Sequence, residues 1–169
     1  MFSTVWPAMA QHHGHGPRGH TDGQAGPYAG MQGRAIKALS PQQIDGLLNG
    51  RGMGMAMPAE LNGYPGPLHV LELAAELKLS DLQAARTREL YAEMLKDARA
   101  AGQQVIDAER ELDALFADKK ATRDTVAAST AKAAAAHGKL RATHLRYHLS
   151  MMEILSAGQV AQYEMLRGY

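Results

Sequence analysis

Residues 79–116 read LSDLQAARTRELYAEMLKDARAAGQQVIDAERELDALF, and the spacing of their small and apolar side chains decides the fold. Thr87, Tyr91, Met94, Ala98, Ala101, Val105, Ala108, Leu112 and Leu115 recur at alternating steps of four and three. That is the heptad-like seam of a helix that packs lengthwise against another. The stretch predicts one long helix over about Asp81–Phe116. A break follows near Ala117–Thr122, with Asp118 or Thr122 as the next cap, and a second helix runs over about Thr122–Met152. The seam of this second arm is Val126, Ser129, Ala133, Ala136, Leu140, Thr143, Tyr147 and Ser150, continued by Ile154. Small seam residues let two helix axes approach closely, so the arms are expected to pack antiparallel. At 1.5 Å per residue each arm is about 45–55 Å long.

Three copies of one pattern, L-S-x-x-Q, punctuate the chain: Leu39-Ser40-Pro41-Gln42-Gln43, Leu79-Ser80-Asp81-Leu82-Gln83 and Leu155-Ser156-Ala157-Gly158-Gln159. Each is a helix start. Serine accepts from free backbone N–H groups of the first turn, and glutamine three residues on reaches back to the serine N–H. The preceding leucine staples onto Ile44, Ala84 or Val160. Pro41 and Asp81 suit first helical positions through fixed φ and helix-dipole charge. The first copy predicts a short helix over Ser40–Asn49, and the third a closing helix to Leu166 that stops at Gly168. Between Gly50 and Pro67 repeated Gly and Pro read as an extended or turning connector, followed by about three helical turns over Leu68–Lys78.

Composition agrees with an all-α class. Hydrophobic residues are 46% but aromatic ones only 5%, and strand-forming residues are scarce. Lys+Arg 18 against Asp+Glu 17 gives +1, which leaves no net field for nucleic acid. No apolar run approaches the ~20 residues of a membrane span. The chain has no cysteine, which excludes disulfides, a thiol nucleophile and thiolate metal sites. Met1–Ala10, MFSTVWPAMA, ends in the small-x-small form of a signal-peptidase site but lacks room for a basic start and full apolar stretch. Residues 1–10 are therefore read as the remnant of a signal peptide. Residues 11–37, rich in Gly, His, Gln and Pro, are read as a disordered tail, and 38–169 as the helical domain.

Several side chains carry possible chemistry. His144, His148 and Met152 lie at i, i+4 and i+8 on one helix, close enough for the two imidazoles to chelate one ion, with the thioether as a soft ligand. The plainer alternative is two half-exposed histidines with Met152 in the core. His12, His13, His15 and His20 form a loose imidazole cluster able to hold Cu, Ni or Zn ions without a fold. Met53, Met55 and Met57 alternate like soft-metal thioethers, or pack the connector onto the arms. Glu109, Arg110, Glu111 and Asp113 read as a solvated face. No Ser/His/Asp order, phosphate loop or H-E-x-x-H occurs, so the chain is not expected to be an enzyme, and no cofactor is required. A two-arm hairpin leaves an apolar side bare, so a homodimer or a client-binding surface is expected.

The L-S-x-x-Q copies resemble the LTxxQ motif of the Spy/CpxP family of bacterial periplasmic proteins, serine replacing threonine without loss of the cap. The closing segment, Leu140-Arg141-Ala142-Thr143-His144-Leu145-Arg146-Tyr147-His148-Leu149 through Gln159, Tyr163 and Leu166-Arg167-Gly168-Tyr169, is also similar to that family and to its CnrX-like and ZraP-like heavy-metal branch. The resemblance covers about Ala38–Tyr169 and implies a periplasmic four-helix protein, often a cradle-shaped dimer. Spy-like members bind unfolded envelope proteins without ATP, in part through basic side chains; here Arg86, Arg99, Lys132, Lys139, Arg141 and Arg146 are the candidates. CpxP-like members restrain a sensor kinase. The metal-linked members bind Zn, Ni, Co or Cu ions, and His148-x-x-x-Met152 has the form of one of their ligand pairs. His69, with Leu73 at the fourth position, leaves a second pair incomplete.

Overall fold

The computed structural model describes residues 26–169. The described residues fall into a short leading stretch, 26–32, and a compact unit, Gly33–Tyr169. In the first, residues 28–31 turn through a hydrogen bond from the Met31 N–H to the Tyr28 carbonyl at 3.0 Å. The signal-peptide remnant at 1–10 and His12, His13, His15 and His20 lie outside the described residues. The second unit starts ahead of the expected Ala38, because Ile36 is buried beside Leu39 and the Lys37 N–H donates to Asp113 at 3.3 Å.

Among the described residues all regular structure is helical: α1 (Pro41–Leu48), α2 (Met57–Glu60), α3 (Pro67–Glu72), α4 (Asp81–Ala117), α5 (Arg123–Met152) and α6 (Ala157–Arg167). The expected long hairpin is present as α4 and α5, which pack along their lengths. Two departures from the five helices expected from the residues are local. Pro58 helps start the four-residue α2 inside the connector. The predicted Leu68–Lys78 helix shortens to α3 plus turns, ending where Lys78 adopts a φ of 49° just before the Ser80 cap. The hairpin loop is closed by Asp118 as C-cap, by Lys119 at φ 58° and by the Thr122–Thr125 capping box.

Both predicted seams are buried through their middles: Met94, Ala98, Ala101, Val105 and Ala108 on α4, and Ala133, Leu140, Thr143 and Tyr147 on α5. Helix α1 lies across α4 at Gly102, where an added Cβ would stand 2.4 Å from the Leu47 carbonyl oxygen. Only glycine permits that approach. Along the hairpin a polar ladder repeats every seven residues. Lys132 pairs with Glu111, Lys139 Nζ donates to Gln104 Oε1 at 3.1 Å, and Arg146 pairs with Asp97. Stepping up one helix while stepping down the other is the signature of antiparallel heptads.

All three L-S-x-x-Q copies form capping boxes. The second and third do more. Gln83 Nε2 donates to Gln159 Oε1 at 2.8 Å and to the Ile154 carbonyl at 2.9 Å. Gln159 Nε2 donates to Gln83 Oε1 at 3.1 Å and to the Leu77 carbonyl at 3.2 Å. The two starts are thereby stitched together above a second core cluster of Val70, Leu77, Met151, Leu155 and Tyr163.

Candidate functional site

The connector read as extended or turning folds, with turns and the short α2, over the C-terminal half of α5 and builds a site there. Glu60, the one charged residue between Gly52 and Leu68, ends α2 and is only 9% exposed. Its carboxylate collects donors from three elements. His69 Nδ1–H of α3 donates to Oε1 at 2.8 Å, and the Tyr163 hydroxyl of α6 donates to Oε2 at 2.6 Å. The Tyr169 hydroxyl reaches Oε2 at 3.3 Å, and His148 Nδ1 lies 3.9 Å from Oε1. Burial pushes the Glu60 pKa up, but the hydrogen bonds from His69 and Tyr163 and the charges of His69 and His148 outweigh it. The carboxyl is held below its ordinary range and stays ionised. Tyr163 is driven well above the usual phenol range by its own burial and then by that carboxylate.

Gly66 is required by this packing. A Cβ there would lie 2.7 Å from Glu60 Oε1 and 2.8 Å from His148 Cε1. Pro67, fully buried, sets the first position of α3 immediately behind it.

His148 Nδ1–H donates to the Tyr64 carbonyl at 2.8 Å, which fixes its orientation. His144, one turn earlier, is 2% exposed, and its Nε2 has no hydrogen-bond partner. Its pKa is pushed below the ordinary histidine value, first by burial and then by His148, so the ring is neutral at neutral pH. The half-exposed reading of these histidines is corrected: both are buried. The position of Met152 is also corrected. It is 39% exposed, whereas Met151 is fully buried. The cause is helical drift. At 100° per residue Met152 stands about 80° round the axis from His144, while Met151 stands about 20° away on the other side.

His144 and His148 line a cavity of about 480 Å³ together with Met53, Met57, Met94 and Pro67. Met57, Leu61 and Tyr169 form an exposed apolar rim. The methionine alternation is split: Met55 packs against the first core cluster, while Met53 and Met57 border the cavity. Met152 does not line it, and among the described residues no three His, Asp or Glu side chains are disposed to hold one ion. Two imidazoles with nearby thioethers are what the cavity offers a metal. The basic side chains expected to grip clients are partly engaged elsewhere, Lys132, Lys139 and Arg146 being the donors of the hairpin ladder.

Glu60 escapes sequence reading because a four-residue helix shows no periodicity. The available signal is a lone acid in an apolar Gly/Pro-rich stretch. Among the described residues no helix is long and apolar enough to cross a membrane. Comparison with protein-family models, curated proteins and solved structures returned no match.

Proposed function

We propose that this chain is a periplasmic envelope-stress protein of the Spy/CpxP kind that binds unfolded proteins without ATP. The observation that carries the reading is the methionine-lined cavity with its exposed apolar rim of Met57, Leu61 and Tyr169. Flexible thioether side chains re-pack around varied apolar partners, which suits clients without a fixed shape. The L-S-x-x-Q helix starts and the Ala8-Met9-Ala10 cleavage form support the family and compartment. Light scattering of a reduced, aggregating client protein tests it. The wild-type chain should suppress aggregation, and a Met57→Ser/Leu61→Ser variant, altered only at exposed positions, should suppress it several-fold less. No protection at a several-fold molar excess of wild type removes the proposal.

A second reading, a heavy-metal-binding sensor or resistance protein, is favoured by the buried His144–His148 pair one turn apart. Calorimetry with Zn, Ni and Cu ions tests it against a His144→Ala/His148→Ala variant. Unchanged binding in the variant counts against that site.

A further inference from the structure

We infer that Met53 is an oxidation site: its thioether latches the turn Gly52–Met55 onto α1, and conversion to the sulfoxide releases the turn and strips an apolar wall from the cavity. The turn is closed by the Met55 N–H donating to the Gly52 carbonyl at 2.8 Å. Its two central residues, Met53 and Gly54, both have positive φ, 44° and 77°. Gly, Asn and Asp dominate such turns, and a side chain like that of methionine is unfavourable there. The side chain itself supplies what holds it. A Cβ at Gly46 of α1 would overlap Met53 Sδ, with Cγ at 3.3 Å and Cε at 3.5 Å, so the thioether fills the space that the glycine leaves bare. Gly46 is buried inside the helix, where glycine is unfavourable. Two local penalties, a glycine in α1 and a methionine in the turn, thus serve one contact.

Oxidation acts on that contact directly. Sδ stands nearer the glycine than either of its carbon neighbours, so the outer side of the C–S–C bend, which carries the lone pairs, faces α1. Oxygen is added on a lone pair and therefore projects into the seat. Met53 is 44% exposed and borders the open cavity, and the strained turn favours lifting the side chain into that space. The lifted sulfur then reacts. Its lone pair takes the chlorine of hypochlorous acid, releasing hydroxide, and water displaces chloride from the sulfur. Sulfur loses two electrons, and thioether plus hypochlorous acid become sulfoxide, chloride and a proton. The polar sulfoxide neither fits the seat nor replaces the apolar wall. Freed from the seat, residue 53 relaxes to negative φ, and the bond that closes the turn opens. A methionine sulfoxide reductase with a dithiol donor removes the oxygen as water and restores the latch. The switch goes beyond client binding, because it concerns the wall whatever the cavity receives.

The test oxidises the full chain with limiting hypochlorous acid, maps sulfoxides by peptide mass spectrometry and reads the turn by amide hydrogen exchange. Met53 should convert after the outlying Met165, 68% exposed, and well before the buried Met94 and Met151. Once it has, the Met55 amide should exchange about tenfold faster, and reductase treatment should restore the slow rate. Met53→Leu should show no change at Met55 on oxidation. Gly46→Ala fills the seat without oxidant, and alanine favours α1. Its Met55 amide should already exchange at the released rate, and its Met53 should oxidise about tenfold faster than in the wild type. A Met53 that stays a thioether until Met94 reacts overturns the proposal, as does a Met53 sulfoxide with unchanged exchange at Met55. Gly46→Ala with both rates at wild-type values overturns it as well. Client binding is judged apart: a reduced wild-type chain that suppresses no aggregation removes that reading, and these rates still decide the latch.

Discussion

Replacing the glutamine of each L-S-x-x-Q copy by glutamate separates two roles that look identical in sequence. For capping alone glutamate is as good as glutamine, since either side chain accepts from the serine N–H. Gln43 only caps: it accepts from the Ser40 N–H at 2.8 Å and has no cross-helix partner. Gln43→Glu should therefore be neutral or stabilise by about 0.3–1 kcal/mol through the helix dipole. Gln159 also donates to the Leu77 carbonyl and to Gln83 Oε1. Glutamate has no N–H, so Gln159→Glu removes both bonds, at about 1 kcal/mol each. Some of this is offset by the dipole term and by a stronger bond from Gln83 Nε2. The net loss is about 1–2 kcal/mol, which for a domain of this size lowers Tm by roughly 4–8 °C. Gln83→Glu should behave alike, and the double Gln83→Glu/Gln159→Glu variant should lose more than the two singles combined, because two carboxylates then face one another. Thermal and urea unfolding followed by circular dichroism at pH 7 reads all four. If the three single variants shift Tm equally, the stitch between α4 and α6 contributes nothing and the reasoning fails.

Tyr163→Phe removes a hydroxyl donor from a buried carboxylate and should cost about 1.5–3 kcal/mol in urea unfolding; a loss under half a kilocalorie would show that the Glu60 cluster does not hold α2 to α6. Gly66→Ala places a methyl group 2.7 Å from Glu60 Oε1 and should destabilise by about 1–3 kcal/mol. Gly138→Ala, in the open on α5 with nothing within 4 Å, should instead stabilise by about 0.5–1 kcal/mol. Stability should also fall with acidification in two stages. His144 has a folded pKa below 6.5 and Glu60 one below 4.5, so each contributes fully above those values and its contribution is lost as pH drops through the lower folded one. Glu60→Gln should flatten the lower stage, and a Tm that stays level from pH 7 to 3 would contradict both assignments.

Local chemistry was readable from the sequence, and tertiary choices were not. The starts of α1, α4, α5 and α6 follow from Ser40, Ser80, Thr122 and Ser156, whose bonds are made within three residues. The hairpin follows from its two seams. What the sequence hides is the second buried stripe on α5. His144 and His148 are covered by the folded connector and Met151 by Val70, Leu77, Leu155 and Tyr163, and nothing in the α5 sequence encodes that cover. The i, i+4 row therefore picks out Met152 where the axis geometry selects Met151. The charges show the same limit. Glu111 reads as part of a solvated face and Lys132 as a client-gripping base until the arms are set side by side.

In the ladder, α5 supplies the donors Lys132, Lys139 and Arg146, and α4 supplies the acceptors Glu111, Gln104 and Asp97. Such a zipper rejects α4 against α4, or α5 against α5, because like groups would then confront each other. It is blind, however, to whether the two arms belong to the same molecule: an α4 reaching the α5 of a neighbour would satisfy every rung. Choice between the closed hairpin and an exchanged pair falls to Asp118–Thr122, where Lys119 must hold a left-handed turn. Stiffening or shortening those few residues would move the protein from self-contained to interlocked without disturbing a single rung.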